Sequence, residues 1–100
     1  MNETREIGRV RSVSLERGKE LLIATVTFEF KGNSVQSLGP LYADVGDVIG
    51  IMGAFGASKW EDLPGKLCWT ERNSEGRIWR LEPLGPVEGE PYQIYRREDA

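Results

Sequence analysis

The clearest pattern along the chain is a strict alternation in which Leu22, Ala24, Val26, Phe28 and Phe30 fall on one side and Thr25, Thr27, Glu29 and Lys31 on the other. Successive side chains of a strand point to opposite faces, so Leu22 to Lys31 is predicted to be a half-buried strand with its phenylalanines in the core. Upstream, Ile7, Val10, Val13 and Leu15 form an apolar set whose phase slips once between Val10 and Val13, which predicts a bulged strand over residues 6 to 15. Glu16-Arg-Gly-Lys joins the two strands, and Gly18 is expected to supply the positive φ of a short hairpin loop. Gly32-Asn33 reads as a second turn, followed by a short extended piece, Ser34 to Leu38, that ends at Gly39-Pro40. The three strands make an antiparallel meander.

The period then changes. Val45, Val48, Ile49 and Met52 sit at i, i+3, i+4 and i+7, which predicts a helix from an Asp44 cap to about Gly56 with those four residues on its buried face. Asp47 adds negative charge at the positive end of the helix dipole. Gly46, Gly50 and Gly53 recur at helical spacing, each costing ~1 kcal/mol relative to Ala. Packing must therefore hold the helix, and the glycines let its backbone approach the sheet or a partner closely. Ser58-Lys-Trp-Glu61 has the form of a capping box opening a single turn, which Pro64-Gly65 stops.

A second hairpin follows, Lys66 to Arg72 and Arg77 to Leu81, around Asn73-Ser-Glu-Gly76. Trp69 is in phase with Leu67, whereas Trp79 is in phase with Leu81 and out of phase with Ile78. The segment Glu82 to Ala100 holds three of the five prolines and is expected to dock through its tyrosines and to fray after Arg96. These elements predict a single α+β domain over residues 1–86 with a partly ordered tail over 87–100. Its architecture is an antiparallel meander, one packed helix, and a C-terminal hairpin that extends the sheet or closes it into a small, partly open barrel.

Composition narrows the chemistry. With 100 residues, 39% hydrophobic and 29% charged, the chain fits one folded domain. A net charge of -3 argues against a duplex-DNA or anionic-membrane binder. The absence of His and the single Cys exclude His-based triads, His-ligated metals, zinc ribbons and an internal disulfide. The start, Met1-Asn-Glu-Thr-Arg, lacks a basic and then apolar leader, and the most apolar stretch, Val48 to Ala57, is 10 residues long, so a cytoplasmic protein is expected.

Few residues could carry catalysis. Cys68 sits among apolar neighbours with no imidazole to activate it and reads as a structural thiol. Glu61 and Asp62 are adjacent carboxylates that diverge by ~100° around a helical turn, which favours capping and solvation over acid–base or cation chemistry. Gly50, Gly53 and Gly56 ahead of Lys59 match neither the phosphate-loop spacing nor the dinucleotide fingerprint. Trp60, Trp69 and Trp79, with Arg72, Arg77 and Arg80, could stack and neutralise single-stranded nucleic acid, or supply indole area to a small core or a protein interface. The candidate binding residues are therefore Lys59, Trp60, Glu61, Asp62, Arg72, Arg77, Trp79 and Arg80. No catalytic residue, metal ligand or cofactor is expected.

The string Trp60-Glu-Asp-Leu-Pro-Gly-Lys66 resembles a motif of small proteins common in bacteriophage and prophage gene sets, a group with no assigned activity. There, an apolar Gly-containing helix leads into Trp-Glu-Asp-Leu-x-Gly-Lys and a β-hairpin. The similarity covers about residues 45–81, with Gly76-Arg-Ile78 resembling the start of the second hairpin strand. The chain departs from the group in its short Ser34 to Gly39 segment, where relatives carry a longer stretch of glycines and aromatics. The resemblance implies a non-enzymatic accessory protein in the cytoplasm of a bacterial host that binds a protein partner, such as an inhibitor of a host defence system or host enzyme. A single-stranded nucleic-acid-binding module and a phage structural or assembly component are the alternatives.

Overall fold

The computed structural model describes residues 4–85 and 89–94. The strands are β1 (Thr4–Arg17), β2 (Leu22–Glu29), β3 (Val35–Ala43), β4 (Leu67–Arg72), β5 (Ile78–Glu82) and β6 (Tyr92–Gln93), with helix α1 (Val45–Phe55) and a 3-10 turn at Trp60–Asp62 between β3 and β4. All neighbours pair antiparallel in one sheet of order β3-β2-β1-β4-β5-β6. The meander is thus present, and the second hairpin extends it along the free side of β1. The sheet is open, with β3 and β6 as its edges, and does not close into a barrel.

β1 is the spine because it is long enough to serve two partners. It pairs with β2 from Arg9 to Arg17 and with β4 from Thr4 to Arg9. The predicted slip is a bulge between Val10 and Ser12, which returns Val13 to the core face opposite Val26. The turn after β1 differs from expectation in one detail, since Gly18 is not among the positive-φ glycines. Glycine is needed there because a Cβ would lie 2.5 Å from the Leu21 carbonyl oxygen, the group that accepts the Gly18 N–H.

β3 runs further than its sequence suggests. Gly39-Pro40 lies within the strand, at a second bulge that sets Leu38 against Val26 and Leu41 against Ala24. Proline lacks an N–H, and an edge strand with a bulge is where a sheet tolerates it. A third bulge, between Arg72 and Glu71 of β4, sets Ile78 opposite Arg72 and Arg80 opposite Glu71, leaving Trp79 as the extra residue. That is how Ile78 and Leu81, out of phase by simple alternation, are both buried.

The core lies between the inner face of this sheet and α1. Phe28 is fully buried and stacks on Phe55 of the helix with ring centroids 6.3 Å apart, and Val10, Val26, Leu38, Ile51, Leu63, Cys68 and Leu81 fill in around them. Asp44 caps α1 with both halves of a capping box in place, and Gly56 closes it at φ 64. The helix is rolled relative to the expected face: Val48, Ile51, Ala54 and Phe55 are buried, while Val45 and Ile49 are exposed. The box expected at Ser58 does not form. Lys59 takes the cap position of the 3-10 turn without a side-chain hydrogen bond, and that turn is anchored instead by Trp60 and the fully buried Leu63.

Beyond Glu82 the chain returns to the domain. Tyr92 pairs with Leu81 and Gln93 with Arg80, Ile94 is buried, and the Glu90 N–H donates to the Gly53 carbonyl of α1. Residues 89–94 thus pack on the domain, and residues 95–100, where the fraying expected after Arg96 would fall, lie outside the described residues. No helix is long and apolar enough to cross a membrane among the described residues.

Candidate interaction surface

Register decides which residues share a face. On the side of the sheet away from α1, β1 contributes Arg5, Ile7 and Arg9, β4 contributes Leu67, Trp69 and Glu71, and β5 contributes Arg80 and Glu82. Ile7 stands directly opposite Trp69, and Leu67 opposite Arg9. Ile7 is 42% exposed and Leu67 45%. Together with half-buried Trp69 they form an apolar ridge on a face that no described helix or strand covers. A groove of about 300 Å3 lies on one side, lined by Arg5, Trp69, Glu82, Pro83 and Leu84. A groove of about 420 Å3 lies on the other, lined by Ile7, Leu67, Arg9, Glu29 and Phe30.

Charge frames this ridge. Arg5 donates to Glu82 at 2.7 Å and also faces Glu71 at 3.8 Å, while Arg80 approaches the same two carboxylates at 3.9 and 4.0 Å. Two arginines and two glutamates thus compensate one another across three strands. Arg9 pairs with Glu29 at 3.5 Å on the far side. The Arg5 guanidinium also lies 4.2 Å from the centroid of the Trp69 ring, a cation–π contact that covers one face of the indole.

The residues singled out from sequence are scattered and mostly engaged. Arg72 is turned in at the sheet rim, where it donates to Glu6 at 2.8 Å and to Gln36 at 2.6 Å and lies 4.6 Å from the Phe30 ring. Arg80 belongs to the charge network above, and Arg77 is exposed beside the Gly76 turn. Trp60 packs against both core clusters, with Glu61, Asp62 and Lys59 exposed around it. Trp79 is half-buried at its bulge, and the indole N–H groups of Trp60 and Trp79 are both buried without a partner among the described residues. No single surface brings the eight together. Ile7, Leu67 and Arg5 were not signalled by local sequence, because their meeting depends on pairing between strands some 60 residues apart.

Two ionisable groups are moved by their surroundings. Burial pushes the Cys68 thiol up to about 12, so it is neither ionised nor accessible near neutral pH. Tyr92 donates its hydroxyl to Asp47 at 2.6 Å. Burial, then this bond and the Asp47 and Asp44 charges, raise the Tyr92 phenol above its ordinary value. For Asp47, burial acts upward, but the bonds from Tyr92 and Asp44 outweigh it and leave the carboxyl below its usual range. Among the described residues no group of three His, Cys, Asp or Glu is placed to hold a metal ion.

No family model, no curated protein and no solved structure matches this chain.

Proposed function

We propose that this is a non-enzymatic binding protein of bacteriophage or prophage type, which holds a protein partner against the outer face of its sheet. The observation that carries the reading is the Ile7–Leu67–Trp69 ridge between two grooves, an exposed apolar patch rimmed by paired charges. Such a patch has the anatomy of an interface, with apolar and aromatic residues at the centre and a polar rim. An inhibitor of a host enzyme or defence system is the role that fits a small surface of this kind. Single-stranded nucleic acid has less support, because Arg5, Arg72 and Arg80 are already neutralised by carboxylates and one face of Trp69 is covered.

The test is affinity capture from a bacterial host lysate with the wild-type protein and the Ile7→Glu/Leu67→Glu double variant. Both side chains are exposed, so thermal melts of the two proteins should agree within a few degrees. A stoichiometric protein retained by the wild type and lost by the variant is the expected result. Equal retention by both, or retention only of nucleic acid that washes off with salt, would overturn the reading.

A further inference from the structure

The carboxylate directly across from Arg5 in the ladder is that of Glu71 in β4, 3.8 Å away, yet the short bond of Arg5, 2.7 Å, goes to Glu82 in β5, one strand further on. Neighbouring strands lie ~4.8 Å apart, so the side chain crosses the whole width of β4 to make that bond. The residue it crosses is Trp69, which stands opposite Glu82 and diagonal to Arg5. The guanidinium lies 4.2 Å from the centroid of the indole. Arg80 approaches the same two carboxylates at 3.9 and 4.0 Å and braces the far end of the crossing.

We infer that Arg5 is the positioning residue of the outer face: it fixes the Trp69 indole before a partner arrives, so that the ridge presents a rigid aromatic anchor. This rests on the reading of that face as the protein-binding surface. The indole is confined on three sides, by Ile7 across the ladder on β1, by Glu82 across it on β5, and by the guanidinium laid over its ring. To swing toward Arg5 it would have to break the bond to Glu82. Arg5, Trp69 and Glu82 also line one groove together with Pro83 and Leu84, so the place of the indole sets the shape of that groove.

Stability alone gives little reason for this arrangement, because an ion pair as exposed as Arg5 and Glu82 adds almost nothing to a fold. Binding gives a better one. A side chain that becomes ordered only when the partner docks weakens the complex, and one already held in the free protein does not. Tryptophan and arginine are also the residues that most often dominate an interface. The role calls for arginine in particular. A planar guanidinium can lie on an aromatic ring and donate from its edge to a carboxylate at the same time, which the compact ammonium of lysine cannot do.

Fluorine NMR of protein labelled with fluorotryptophan tests the first half, with the Trp69 resonance identified by its loss in Trp69→Phe. Arg5→Ala should shift or broaden that resonance, leave those of Trp60 and Trp79 in place, and melt within a few degrees of the wild type. The second half is read by titrating each variant with the host protein eluted from the wild-type affinity column. Arg5→Ala should weaken binding at least ~10-fold and Arg5→Lys less. In a Trp69→Ala background Arg5→Ala should add no further loss, because its effect runs through the indole. A Trp69 resonance unmoved by Arg5→Ala, binding unchanged by it, or the same loss with and without Trp69 would each overturn the inference and leave the binding surface standing. If the Ile7→Glu/Leu67→Glu variant retains the same proteins as the wild type, the binding surface falls and the inference falls with it.

Discussion

At Phe28 and its neighbour Thr27 a single step along the chain separates core from solvent. Phe28 has no exposed surface, lies against Phe30 and Phe55, and faces α1, whereas Thr27 points to the outer face and shares a hydrogen bond with Ser37 at 2.9 Å. Phe28→Asp would leave a carboxylate without a partner in the core, a loss of several kcal/mol against a total of ~5–15, so the variant should be unfolded at 37 °C. Thr27→Asp should lose at most ~1 kcal/mol, the worth of its hydrogen bond. Circular dichroism melts compare the two, and variants that melt alike would contradict the register of β2. This much was legible in the sequence, because strict alternation specifies a face as well as a strand. The outer-face residues were not. Arg5, Ile7, Trp69 and Glu82 gain their relationship from the pairing of β1 with β4 and β4 with β5, which no local window contains.

Among the elements, α1 was legible in its ends and not in its orientation. Asp44, Asp47 and Gly56 mark its caps, but with apolar residues on nearly every side the periodicity of Val45, Val48, Ile49 and Met52 could not choose the buried face. The length of β3 was not legible, because Gly39-Pro40 ordinarily ends a strand, and here an edge position and a bulge absorb it. The glycines of the helix differ in their surroundings. Gly50→Ala should destabilise the domain despite the better helix former, since its methyl group displaces the Tyr92 ring. Gly53→Ala should raise stability by up to ~1 kcal/mol, as the space above it is open. Urea titrations give the two signs, and a gain for Gly50→Ala would refute the packing described for Tyr92. The 3-10 turn makes a parallel case. Trp60→Ala removes a side chain that packs on both core clusters and should cost ~3–5 kcal/mol, while Glu61→Gln with Asp62→Asn, both exposed, should stay within ~1 kcal/mol of the wild type. A stable Trp60→Ala protein would move that residue from scaffold to surface.

For the molecule as a whole, the segment after Glu82 matters more than its sequence promises. A two-residue strand carries almost no periodic signal, yet β6 completes the sheet edge and ties the chain back to the start of α1 through Tyr92 and Asp47. This tie gives stability a dependence on pH at both ends of the scale. The Tyr92 phenol is raised in the folded protein, so its contribution is fully present below the unfolded value of ~10 and is lost as pH rises through the folded value. The Asp47 carboxyl is lowered, so its contribution is present above ~3.9 and is lost as pH falls through the folded value. Tyr92→Phe keeps the ring against Gly50 and removes only the hydroxyl. At pH 7 it should be less stable by ~1 kcal/mol, through the lost hydrogen bond. Above pH ~10 its stability should fall less steeply than that of the wild type, because no phenolate then has to form beside the Asp47 and Asp44 charges. Urea midpoints from pH 7 to 11 compare the two proteins. If they decline in parallel over that range, the alkaline loss arises elsewhere and the link between β6 and α1 is not what senses it.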